Sequence, residues 1–401
     1  MKKTWFNIAL LNLFIAGTMG ATLRFAFVRE IPWLNFMNFL HGHSHIAMLG
    51  WAYLGLYALF IHYFLPDEKK QSPFYERLFW ATEVSVLGML VAFPIQGYGA
   101  ASITFSTLHI LLSYAFARRF LKDLPDADAL SRQFVRAALW FMVLSTVSLW
   151  AMGPIMKAGL KGSALYFNAV QFFLHFQLNG WFVFGVLGLF FKVLEDQKIP
   201  VSRRAGRRFF NLLVLSGFLT FALAVTWSTP LPILFFINSA GVTIQFVALL
   251  YFMGIVREIW PELRRRIPTW VALLFQIAIG AFVLKILIQT AVVVPYIGKV
   301  GYTIRNFVIG FLHLILLGMI TGFLLGLGAY VRKIQTENPF IRAGLRLFFI
   351  GFVASELLLF GQGVLFWAAM GFIPAYYELL FGVSALMPLG FAAILWGQWR
   401  R

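Results

Sequence analysis

The sequence predicts an all-α, polytopic membrane protein with twelve transmembrane helices in three pseudo-repeated four-helix arcs, and three observations carry that prediction. Of 401 residues, 61% are hydrophobic and only 12% charged, with 46 Phe and 13 Trp. That is more apolar surface than a soluble core can hide. Apolar runs of about twenty residues or more, the length at which a helix crosses a bilayer, recur along the whole chain. A histidine-centred pattern returns three times at nearly equal intervals.

The first run, 5–28, follows Lys2 and Lys3. A basic start, an apolar stretch and small residues also describe a secretory signal, but the stretch is long for one, so span 1 is expected to remain uncleaved. Runs at 38–66, 77–100 and 101–122 complete the first arc. The second arc supplies 134–156, 164–192, 208–228 and 232–257, and the third 268–293, 303–331, 343–370 and 378–397. The repeats therefore fall at approximately 1–133, 134–267 and 268–401 within one transmembrane domain. The longest polar connection, "KDLPDADALSRQ", reads as a loop, and no soluble domain is evident.

The net charge of +18 invites a nucleic-acid reading until the charges are placed. With the N-terminus in the cytoplasm, 26 of the 33 Lys and Arg fall at the termini and in the loops after spans 2, 4, 6, 8 and 10. Arg118, Arg119 and Lys122, the Lys198 to Arg208 cluster, and Arg264 to Arg266 are examples. Six fall on the opposite side (Arg24, Arg29, Lys157, Lys161, Lys299, Arg305), and Lys285 lies inside span 9. This is the positive-inside pattern. It predicts an inner-membrane protein with both termini cytoplasmic, a lipid bilayer as surroundings and no nucleic-acid partner. With no cysteine, disulfides, thiolate metal sites, iron–sulfur clusters and the attachment of c-type haem are excluded, which leaves His as the main soft-metal or haem-iron ligand.

"NFLHGHSHIAMLGW" (38–51), "NAVQFFLHFQLNGW" (168–181) and "NFVIGFLHLILLGM" (306–319) all read N-x6-H-x4-G-[WM]. Asn38, Asn168 and Asn306 lead; His45, His175 and His313 follow; Gly50, Gly180 and Gly318 close. The copies fall on spans 2, 6 and 10, one per four helices and all running the same way. A histidine roughly eight to twelve residues from the outer end lies about 12–18 Å deep at 1.5 Å per residue, so the three imidazoles share a level. His109, on span 4, enters from the same face. The Asn lies about 20° off the histidine's face, two turns outward, where it could bond something long that the His also touches. The Gly lies about 140° round, where it would admit a neighbouring helix or a flat ligand. Helix packing alone is the plain alternative for both.

A histidine inside a membrane is costly and tends to be functional, and three in matched positions point to metal or haem. The plain alternative is a neutral imidazole bonded to a carbonyl of the next helix. His43 and His45, two residues apart, point about 160° from one another and cannot share one ion, whereas His41 and His45 share a face and could chelate one. Glu83 on span 3, Lys285 on span 9 and Glu356 on span 11 are intramembrane charges of the kind that form proton routes. Glu83 and Lys285 could instead snorkel to a membrane surface, and Ser355, Gln362 and Gly363 could line a polar track beside Glu356.

Twelve helices, a threefold repeat and histidines on spans 2, 6 and 10 resemble subunit I of the haem-copper oxidases. "HSHIAMLGW" is similar to the H-x-H…L-G-W run of the C-type oxidases. The resemblance implies b-type, non-covalent haem, with His43 on a high-spin haem, His45 and His313 on a low-spin one, and His175 as a copper ligand, whose missing companions His109 or a partner subunit would have to supply; His41 is a metal candidate through the face it shares with His45. It also implies membrane or cytochrome subunits as partners. The H-x-H of that family lies on span 10, whereas here it is on span 2, and span 7 lacks the adjacent histidine pair that completes the copper site. A weaker resemblance is to the NnrS family of haem- and copper-containing membrane proteins, in length, helix count and histidines on span 2. The expected function is haem binding, with copper as a further candidate, in electron transfer or the handling of a diatomic gas such as O2 or NO. The incomplete copper ligands leave any oxidoreductase activity and its catalytic residues unassigned. The competing expectation is a non-redox transporter or sensor with a His-lined metal or small-molecule site.

Overall fold

The computed structural model describes residues 3–126 and 128–399. Lys2, Arg400, Arg401 and the side chain of Lys3 lie outside the described residues. Among the described residues there is no strand, and twelve helices are long and apolar enough to cross a membrane. They are span 1 (Thr4–Phe25), span 2 (Phe36–Phe64), span 3 (Pro73–Gln96), span 4 (Ala100–Asp123), span 5 (Leu130–Lys157), span 6 (Ala164–Asp196), span 7 (Arg203–Thr226), span 8 (Pro232–Arg266), span 9 (Thr269–Ala291), span 10 (Arg305–Tyr330), span 11 (Pro339–Trp367) and span 12 (Tyr376–Trp399). The chain is a multi-pass α-helical membrane protein.

All twelve apolar runs correspond to helices, and the differences lie at the ends. Span 8 continues nine residues past its apolar run, through Arg264, Arg265 and Arg266. Span 7 begins five residues early at "RRAGRR", where the Ser202 side chain accepts from the Ala205 N–H as an N-cap. Apolar length marks the hydrocarbon crossing, whereas the helix persists into the polar interface, where long basic side chains keep their heads in water. A short helix at Pro295–Thr303, between spans 9 and 10, was not foreseen.

The chain forms two compact units, Met1–Pro125 with Leu312–Arg401, and Asp126–Phe311. The first holds spans 1 to 4, most of span 10, and spans 11 and 12; the second holds spans 5 to 9 and the start of span 10. In the first unit, span 2 packs against spans 1 and 3, and spans 11 and 12 run together. That last contact is set by glycine. A Cβ on Gly344 would stand 2.5 Å from the Gly390 carbonyl oxygen, and one on Gly390 would stand 2.6 Å from that of Gly344. Such approach of two backbones is the small-residue packing that membranes favour. In the second unit, spans 7 and 8 pair, spans 5 and 6 pair, and span 8 lies on span 9.

Burial identifies the inner helices. Spans 2, 6 and 10 are 83%, 89% and 61% buried over their most apolar stretch, against 28% for span 4. The pattern-bearing helices are therefore the enclosed ones. Exposed apolar side chains such as Ile95, Trp140, Phe236 and Leu357 lie on the others, as expected of faces solvated by lipid.

Candidate functional site

Each pattern copy has the same local architecture. The α-helix runs to the histidine and then opens into a π-helical turn: Ile46–Tyr53 after His45, Phe176–Phe182 after His175 and Leu314–Thr321 after His313. Such turns are rare, widen the helix by about one residue, and concentrate at functional sites. The histidines stand nine, eleven and eight residues from the first residue of their spans.

The pattern's Gly serves helix packing in two copies. A Cβ on Gly50 would come within 3.0 Å of Asn12 on span 1 and Val86 on span 3. On Gly180 it would come within 2.5 Å of the Phe141 side chain on span 5. In both copies the glycine lies against the span that precedes its own, span 1 for Gly50 and span 5 for Gly180. The Asn serves the outer turns. Ser228 Oγ, just after span 7, donates to Asn168 Oδ1 at 2.7 Å. Asn38 Oδ1 lies against Gly97, which ends span 3 with φ +60°. Asn306 is the second residue of span 10. The plain packing alternative thus describes Asn38, Asn168, Gly50 and Gly180.

Span 2 presents different chemistry on its two flanks. His43 faces span 1: its Nδ1–H donates to the Ala16 carbonyl at 2.9 Å, and its ring lies against Gly20. A carbonyl can only accept, so Nδ1 carries the proton and Nε2 keeps its lone pair. His45 faces spans 3 and 4. Its ring stacks on Phe93 with centroids 4.2 Å apart, and its Nδ1–H donates to the His41 carbonyl at 2.8 Å. His41 shares that face, 4.7 Å from the Tyr98 ring. His109 packs edge-on against Tyr53 at 4.8 Å, within electrostatic reach of His45, and its Nε2 is buried with no hydrogen-bond partner.

His313, on span 10, faces Glu356 of span 11. It lies within electrostatic reach of Arg24 and His43, and its Nδ1 lies 3.8 Å from Glu356 Oε1. The resemblance paired His313 with His45. His43 lies within electrostatic reach of His313, and two residues of α-helix carry His45 to the other side of span 2. A direct link aligns the two histidine helices, since Trp51 Nε1–H donates to Thr321 Oγ1 at 2.8 Å between their π-turns.

His175 belongs to the second unit. Its Nε2–H donates to the Gly217 carbonyl on span 7 at 2.8 Å, which leaves Nδ1 as its lone-pair nitrogen, the reverse of His43 and His45. Lys285 lies within electrostatic reach of it, 1% exposed, and donates from Nζ to Gln289 Oε1 at 2.7 Å. Glu83 is 5% exposed and accepts from Asn12 Nδ2 at 2.8 Å. Neither group snorkels: both are enclosed by neighbouring helices. Gln362 braces the turn between spans 11 and 12, donating to the Gly371 carbonyl and accepting from the Ile373 N–H. The Ser355 hydroxyl donates to Phe352 of its own helix, so both have structural partners beside Glu356.

Among the described residues no group of three His, Asp or Glu side chains converges as a metal site. Residues given no part in the site by the sequence include Asn12, Arg24, Thr321 and the ring pair Phe93 and Tyr98. Asn12 was detectable as a polar residue in the apolar run "FNIALLNLFIAG", whereas Thr321 carried no signal until its partner was known. No protein-family model matches the chain, and no curated protein matches it.

Proposed function

We propose that this chain is an inner-membrane protein with cytoplasmic termini that binds b-type haem through His43 and His313 and acts in electron transfer or diatomic-gas handling. The observation that carries the reading is the His43 ring anchored through Nδ1 so that Nε2 is available, with His313 of span 10 within electrostatic reach. An anchored Nδ1 is how proteins prepare an imidazole to ligate metal. The remaining features agree: two buried helices held in register by Trp51 and Thr321, and Arg24 near enough to act on both imidazoles and on Glu356. A bound haem supplies one-electron chemistry, or an open iron position for a gas, according to its axial ligands. The chain's residues would hold it through His43 and His313, place the Arg24 charge nearby and close the site with apolar side chains. No step is assigned to copper. Partner subunits of the membrane or cytochrome kind would deliver electrons.

The test is the absorption spectrum of the purified protein before and after dithionite, with a pyridine extract for haem. A Soret band with low-spin reduced bands is expected in wild-type protein. His43→Ala and His313→Ala should each lose the low-spin signal, and His45→Ala should retain it. Absence of haem from well-folded protein refutes the proposal.

One observation favours a second reading, a non-redox transporter or sensor. The flank with His41, His45 and His109 has a buried nitrogen without a partner at His109 Nε2, which a bound ion would satisfy. Zinc or copper in haem-free protein, lost on His109→Ala, would select that reading.

A further inference from the structure

We propose that Glu356 is the positioning residue of His313: its carboxylate accepts the Nδ1–H of that ring and turns Nε2 toward the group held between spans 2 and 10. This rests on the haem reading and deepens it.

Three atoms carry the inference. His313 Nδ1, Glu356 Oε1 and Glu356 Oε2 are all buried without a hydrogen bond, and the first two stand 3.8 Å apart. A charge-assisted N–H···O bond spans about 2.7–2.9 Å, so the pair is about 1 Å from contact, within reach of a small side-chain rotation. Glu356 is 9% exposed in the middle of span 11, and an intramembrane carboxyl is held there by a partner or a function. The nearest hydrogen-bonding neighbours on its helix do not compete for it. Ser355 donates to its own backbone, and Gln362 is committed to the turn after the span.

The comparison within the pattern sharpens the assignment. His45 and His175 both anchor one ring nitrogen on a backbone carbonyl, and so does His43. His313 faces a carboxylate instead. A carbonyl orients a ring; a carboxylate also gives it imidazolate character and raises its basicity toward metal. The imidazoles of His43 and His313 are therefore unequal, and His313 is the stronger donor. A stronger donor favours the oxidised iron, so the carboxylate lowers the reduction potential of the bound group.

The experiment is a redox titration with low-temperature electron paramagnetic resonance on full-length wild-type, Glu356→Gln, Glu356→Leu and, as a control, Ser355→Ala proteins, each with haem content measured. Glu356→Gln keeps an acceptor and removes the charge, so a positive shift of midpoint potential with a near-wild-type low-spin signal is expected. Glu356→Leu removes both, so a positive shift with altered signal anisotropy is expected. Ser355→Ala should match wild type. Wild-type potential and signal in both Glu356 variants overturn the assignment. If the Glu356 variants are not recovered folded, the redox-difference infrared spectrum of wild-type protein reads the same contact. A carboxyl band that moves on reduction is expected, and its absence overturns the assignment. Wild-type protein without haem would refute the haem reading itself. Haem retained in wild-type protein and lost on His313→Ala, with wild-type potential and signal in both Glu356 variants, would leave that reading standing and overturn this one.

Discussion

Asn12 joins three helices through one amide group. Its Nδ2 donates to the Gly50 carbonyl at 3.1 Å and to Glu83 Oε2 at 2.8 Å, and the residue is 1% exposed. The Gly50 bond follows from the π-turn. The Leu54 N–H, which in an uninterrupted α-helix would bond Gly50, donates to the Trp51 carbonyl instead. Replacing Asn12 with Leu keeps the volume and removes both donors. An orphaned buried acceptor costs about 1–3 kcal/mol in water-soluble proteins, but interhelical bonds in membranes average nearer 0.6 kcal/mol. For two acceptors the expected loss is about 1–3 kcal/mol. Thermal or dodecyl-sulfate unfolding of detergent-solubilised protein measures it. Because replacing both members of a buried pair by apolar groups can be nearly neutral, Asn12→Leu combined with Glu83→Leu should recover more than half of the loss. A single variant within about 0.5 kcal/mol of wild type, the usual range for inconsequential changes, would refute the claim that Asn12 clamps the turn. So would a double variant that is simply additive.

Three further outcomes follow from the packing. Gly390→Ala would place a Cβ 2.6 Å from the Gly344 carbonyl oxygen; backbone cannot step aside cheaply, so a loss of about 1–3 kcal/mol by the same unfolding assay is expected, as for other overpacked cores. Trp51→Phe removes the bond to Thr321, whose hydroxyl still donates to the Leu316 carbonyl. With no donor orphaned, the loss should be about 1 kcal/mol or less. Lys285→Met keeps the length of a side chain that is 1% exposed and removes its charge. Unchanged or increased stability is expected, since burying a cation is costly, and a clear loss would reveal an anionic partner for Lys285.

How far the sequence could be read depended on what each signal measures. Apolar length located all twelve helices, yet missed the nine-residue extension of span 8 because helical hydrogen bonding does not stop where hydropathy does. The periodicity of an α-helix sufficed to separate His43 from His45, since both precede the π-turn and the 100° step holds there. The link between spans 2 and 10 was not legible, because it depends on side chains such as Thr321 that carry no pattern. The reach of Asn38 and Asn168 to the outer turns was equally hidden, being a contact between segments about sixty residues apart. The π-turns themselves left no trace in hydropathy, and the register of Asn, His and Gly was the only outward sign of them.

A π-turn is an α-helix carrying about one residue too many, which makes each of these three spans two rods spliced with a phase offset. Residues before the splice and residues after it are indexed separately, so the histidine end of a span can be rotated without re-registering the end that packs below it. Deleting one residue from 46–53 would remove the splice and rotate the outer rod by about 100° relative to the inner. The flanks that His43 and His45 now address would be reassigned while every side chain stayed in place in the sequence. In this protein the choice of partner for an imidazole is encoded by chain length as much as by residue identity.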